Sequence, residues 1–159
     1  MKCRYCYGHG GTFGGSTAMM SEETAFAILD WYTGREVAKK KKEIYISFMG
    51  GEPLLNFALI KKIILYLTEN FADWKKKYDM TTNGYFLTDE VIAFLIEHEV
   101  GILISFDGPP AIQNANRPLA SGEDSYAAIA PKLKKLLALR PDTCASNWKV
   151  RSPARKSGM

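Results

Sequence analysis

The sequence predicts an α/β fold, a parallel sheet with flanking helices, on three observations. Short β-branched segments alternate with longer ones whose apolar residues recur every three or four positions. Each short segment ends in a turn rich in Gly, Asn, Asp or Pro. The 159 residues contain no internal repeat and no low-complexity linker, so a single core is expected.

Residues 3–15 are glycine-rich and polar and read as a loop. Ser21 is suited to cap a helix with Ala25, Ile28, Leu29 and Tyr32 on one face, and Gly34 weakens its end. Residues 43–49 predict a strand with Ile44, Ile46 and Phe48 on one side. The clearest amphipathic stripe follows over 55–71: Phe57, Ile60, Ile64, Leu67 and Phe71. Residues 78–82 predict a shorter strand, ended by Asn83-Gly84. Thr88 then caps a helix through His98, with Asp89 and Glu90 suited to its positive end. Residues 101–106 predict an apolar strand of a sheet covered on both faces, broken by Asp107-Gly108-Pro109-Pro110. A helix over 124–139 places Tyr126, Ile129, Leu133 and Leu136 or Leu137 inward, and residues 147–151 start a further strand. Alternation at this spacing predicts parallel pairing through crossover helices. A closed eight-stranded barrel takes about 250 residues, so three or four strands cannot close one. The polar motifs fall at the C-terminal ends of the strands, where ligands gather in such sheets.

At 47% hydrophobic and 24% charged, the composition is that of an ordinary soluble globular chain. No apolar run approaches the roughly 18 residues of a membrane span, and the N-terminus lacks a signal-peptide core. A cytoplasmic location is expected. There, paired cysteines two residues apart point to metal binding or catalysis rather than a disulfide. The runs at 39–42 and 75–77 are read as solvated helix ends. Basic residues are not interleaved with aromatics, which argues against a nucleic-acid footprint.

Two motifs carry chemistry directly. Cys3-Arg4-Tyr5-Cys6-Tyr7 offers two thiolates, half of a tetrahedral site or most of a three-cysteine cluster site. Gly50-Gly51-Glu52-Pro53 follows a strand, and its glycines let backbone amides approach a ligand while Glu52 offers a carboxylate to an ammonium. Thr81-Thr82-Asn83-Gly84, Ser105-Phe106-Asp107-Gly108-Pro109 and Asn116-Arg117-Pro118 follow in order. Together these motifs resemble the radical S-adenosylmethionine superfamily, in its peptide- and protein-modifying branch (SPASM-type, similar to anaerobic sulfatase maturases). The resemblance covers 3–139 and extends less fully to 151.

The resemblance implies a partial, TIM-like radical barrel over residues 1–151. It implies a [4Fe–4S] cluster that reductively cleaves S-adenosylmethionine to a 5′-deoxyadenosyl radical, a peptide or protein substrate, and an electron donor such as flavodoxin or ferredoxin. Cys3 and Cys6 become the second and third cluster ligands. Tyr5 matches the aromatic beside the adenine, and Gly50, Gly51 and Glu52 match the loop that receives the methionine ammonium. Ser105 matches a residue near the ribose or the methionine carboxylate. Asn83 lines the same pocket, and Arg151 matches an arginine that meets the carboxylate.

The family's Cys-x-x-x-Cys-x-x-Cys pattern puts its first cysteine four residues before Cys3, ahead of Met1. The expectation is therefore a core truncated at both ends and impaired in cluster binding, with 152–159 a disordered or aberrant tail. Cys144 lies too far along the chain to replace the ligand. One competing reading is a zinc or thiol-redox module on Cys3, Cys6 and His9. In that reading His98 is better placed as a boundary residue of its helix. Another is an inactive remnant.

Overall fold

The structure is a computed structural model that describes residues 1–15, 17–139 and 148–151. Cys144, the predicted tail at 152–159 and the first residue of the predicted fourth strand lie outside the described residues. Helices α1 (Glu22–Thr33) and α2 (Glu36–Lys41) precede β1 (Glu43–Phe48). A short 3₁₀ turn (Pro53–Asn56) leads into α3 (Phe57–Asn70) and β2 (Lys75–Thr82). Then come α4 (Asp89–Glu97), β3 (Gly101–Ser105), α5 (Pro110–Asn116), α6 (Ser125–Leu139) and β4 (Trp148–Arg151). The four strands pair in chain order and every pairing is parallel. The predicted α/β class is therefore the observed one, with helices carrying the chain between successive strands.

Alternation within the strands decides which face is covered. Ile44, Phe48, Tyr78, Met80, Ile102 and Ile104 join a core completed by Ile60, Ile64 and Leu67 of α3, Ile92 and Leu95 of α4, and Ile129, Leu133 and Leu136 of α6. Each fully buried aliphatic side chain in this layer contributes roughly 1.5–3 kcal/mol. The opposite face stays open, with Tyr45, Ser47 and Lys77 exposed and Asp79, Thr81 and Ser105 half-buried. The expectation of a sheet covered on both faces is corrected here. Only the helix-packed face is dry, which is why β1 reads as exposed and buried in turn.

Local corrections have local causes. On α1 the buried seam is Ala25, Leu29 and Thr33, spaced by four, while Ile28 and Tyr32 face solvent. Ser21 caps this helix as predicted, its side chain accepting the Thr24 N–H. The lysines of 39–42 do sit at the end of α2. Those of 75–77 instead open β2, three residues earlier than predicted. Lys76 nonetheless serves a helix exit, donating to the carbonyls of Phe71 (2.8 Å) and Trp74 (2.9 Å). His98 ends α4 with its ring 4.3 Å from Phe94. No helix among the described residues is long and apolar enough to cross a membrane.

Candidate functional site

The parallel sheet brings four loops to one end: those after β1, β2 and β3, and the N-terminal thiol loop laid across them. The thiol loop is held by backbone first. The Lys2 N–H donates to the Pro118 carbonyl at 2.8 Å and the Arg4 N–H to the Asn116 carbonyl at 2.9 Å. The Cys6 N–H closes a turn on the Cys3 carbonyl (3.2 Å), and the Gly10 N–H points at Cys6 Sγ (3.3 Å). Both thiols are free, Cys3 half-buried and Cys6 exposed.

Farther along, the same loop meets the turn after β1. An added Cβ on Gly51 would lie 2.8 Å from Gly11 Cα, a backbone atom that no rotamer change can move. Gly11 itself has φ +103, a conformation suited to glycine. Gly51→Ala is accordingly expected to cost about 1–3 kcal/mol by forcing the two loops apart. Urea unfolding checks this, and an unchanged midpoint would contradict the contact.

Glu52 ties the β1 turn to the end of β2. Its carboxylate accepts the Thr82 hydroxyl (2.7 Å), the Asn83 N–H (2.8 Å) and the Leu54 N–H (3.2 Å). Burial pushes this carboxyl above its ordinary value, and the three hydrogen bonds only partly oppose it. The Asn83 side chain is also engaged, its Oδ1 accepting the Tyr85 N–H at 2.8 Å in a turn. Glu52 and Asn83 thus shape one wall in addition to any ligand they meet. Ser105 ends β3 and pairs in register with Arg151 at the end of β4, so those two candidates are neighbours across the last strand pair.

A buried ion pair lies below the thiol loop. Arg117 Nε donates to Asp107 at 2.9 Å, with side-chain exposures of 10% and 0%. The Tyr5 hydroxyl donates to the same carboxylate at 2.7 Å, and the Arg117 guanidinium lies 5.0 Å from the centre of the Tyr5 ring. Arg117 Nη1 stands 3.8 Å from Cys3 Sγ. Burial raises the Cys3 thiol, with Arg117 acting in the opposite direction. The Tyr5 hydroxyl is raised as well, by burial and by its bond to Asp107. Burial, the largest single influence, would lower the guanidinium, but the bond to Asp107 together with the charges of Tyr5, Asp107 and Cys3 outweighs it and raises the group above its ordinary value. The sequence motifs contain Asp107 and Arg117 but carry no sign of their partnership. Gln113 was missed altogether. It is fully buried, and its Oε1 accepts the Asp107 N–H at 2.9 Å.

As donors for a metal group, Cys3 and Cys6 fit two corners of an iron–sulfur cluster: free thiols on one turn, each with an N–H donor directed at sulfur. Among the described residues no set of three or more His, Cys, Asp and Glu stands ready to hold a metal ion. That covers the zinc set with His9, and it also leaves a third cluster thiolate unsupplied.

The chain resembles proteins of this architecture along most of its length. It is 30% identical over 79% of its length to an uncharacterised protein of Methanocaldococcus jannaschii, covering 40% of that relative. It is 29% identical over 74% of its length to the radical SAM cyclopropyl synthase TigE of Paramaledivibacter caminithermalis, covering 24% of it. Among solved structures, native anSMEcpe with bound S-adenosylmethionine superposes with a TM-score of 0.72 at 25% identity, over 86% of this chain and 37% of that one. The same protein with S-adenosylmethionine and a Cp18Cys peptide gives 0.71, over 87% and 36%. The chain therefore spans two fifths or less of these relatives. The radical SAM superfamily profile matches residues 1–146, and the chain belongs to that superfamily.

Proposed function

We propose that this chain carries the cofactor-binding half of a radical S-adenosylmethionine enzyme that modifies a peptide or protein, of the SPASM and sulfatase-maturase kind. One observation carries the reading: the thiol loop and the Gly-Gly-Glu turn touch at the C-terminal end of the sheet, backbone against backbone at Gly11 and Gly51. A cluster on the thiols and a nucleotide on the turn would then be adjacent. The AdoMet-bound neighbours support the cofactor, and the peptide-bound one supports the substrate class.

Within this reading Cys3 and Cys6 hold a [4Fe–4S] cluster, which when bound supplies the electron for reductive cleavage of S-adenosylmethionine. Gly50 and Gly51 bring backbone close to the methionine end, and Glu52 faces its ammonium while fixing the turn. Tyr5 borders the adenine. Asn83, Ser105 and Arg151 edge the pocket along the ends of β2, β3 and β4. The electron arrives from a flavodoxin- or ferredoxin-like donor in the cytoplasm.

Anaerobic reconstitution with iron and sulfide tests this reading. A brown iron–sulfur chromophore is expected, lost in Cys3→Ser and in Cys6→Ser. With two thiolates among the described residues, loading below four irons per chain and impaired cleavage to 5′-deoxyadenosine are expected. One equivalent of zinc with no chromophore would overturn the proposal. A full four-iron complement with rapid cleavage would overturn the impairment alone.

A further inference from the structure

We propose that Arg117 is a positioning residue that latches the thiol loop onto the end of β3. The assignment deepens the reading above and rests on Cys3 being a cluster ligand. Residues on either side of Arg117 hold the loop by backbone, Asn116 through the Arg4 N–H and Pro118 through the Lys2 N–H. The guanidinium between them faces three groups at once: the Asp107 carboxylate, the Tyr5 ring and Cys3 Sγ. Asp107 is itself fixed, since its N–H is taken by Gln113 of α5 and its carboxylate by Tyr5.

The geometry is cooperative. Tyr5 and Cys3 flank Arg4, so a cation that grips both restrains the backbone whose amide pairs with Asn116. A planar fork suits this task because Nε and Nη1 reach different partners, whereas a lysine would supply one point of charge. The latch thereby sets where Cys3 lies relative to the strand ends before any cluster arrives.

The test uses the metal-free chain under reducing conditions, with amide exchange read residue by residue. Arg117→Gln is expected to speed exchange at the Arg4 amide on the order of tenfold or more. It should also open tryptic cleavage after Arg4, while the α4 amide of Ile92 and the β3-side amide of Val100 keep wild-type protection. Arg117→Lys should show a smaller loss at Arg4, as the retained charge partly rescues the ion pair. Unchanged Arg4 exchange and cleavage in Arg117→Gln would overturn the proposal. If that variant unfolds throughout, Arg117→Lys carries the same comparison: local loss at Arg4 supports the latch, and wild-type behaviour there overturns it. Because no metal is present, the latch can fail while cysteine-dependent iron binding stands, and iron binding can fail while the latch stands.

Discussion

Replacing Asp107 with alanine is expected to remove about 3–5 kcal/mol of stability, a fall in melting temperature on the order of 10 °C. The size follows from burial. The carboxylate is fully covered, and its partner guanidinium is nearly so. Surface ion pairs in this chain, such as Lys61 with Glu90, are solvated, and removing one is expected to change little. Removing Asp107 leaves a buried cation without its counter-charge and a Tyr5 hydroxyl without its acceptor. The cost is therefore that of an uncompensated charge, not of one lost contact. Asp107→Asn keeps an oxygen for one of the two donors and is expected to lose roughly half as much. Thermal and urea unfolding of both variants checks the order. Loss of under about 1 kcal/mol in the alanine variant would mean that water already reaches the pair.

Much of this arrangement was legible in the sequence, and the failures share a cause. The three turn motifs after β1, β2 and β3 announce where those strands end, because glycine, asparagine and proline encode backbone directly, and all three reach the same end of the sheet. What periodicity could not supply was the choice between adjacent apolar faces. On α1, Ile28 and Leu29 are equally apolar, and only tertiary packing decides that Leu29 goes inward while Ile28 stays exposed. The lysines at 75–77 look like a helix end by composition, yet strand pairing with Glu43, Ile44 and Tyr45 claims them. The segment Asp107-Gly108-Pro109-Pro110 reads in the sequence as a break after β3, although a proline at the first position of α5 is a start signal as well. That short helix is what turns the chain back so that Arg117, ten residues on, meets Asp107. A pairing made by a three-dimensional return leaves no local pattern, so the ion pair beneath Cys3 and Tyr5 emerged from the fold alone.

Glu52→Ala is expected to cost about 2–4 kcal/mol, since it strips the acceptor from the buried Thr82 hydroxyl and from two backbone N–H groups. The pH dependence is more diagnostic than the size. Burial raises this carboxyl in the folded chain above its ordinary 4.5. The folded state thus favours the protonated form relative to the unfolded chain. The contribution of Glu52 is then fully present below the unfolded value, and it declines as pH rises through the higher folded value. This runs opposite to the usual paired carboxylate, and opposite to Asp73 and Asp124, whose hydrogen bonds lower them. Subtracting the unfolding free energy of Glu52→Gln, which cannot titrate, cancels those other groups. The difference, wild type minus variant, should fall with rising pH from about 4 and then level off. A difference that grows with pH would mean that the three donors outweigh burial and stabilise the anion. In that case the turn would already be satisfied as a carboxylate, and it would gain little from an arriving ammonium. A falling difference instead marks a carboxylate held at a cost, one that a cationic ligand at the mouth of the sheet would relieve.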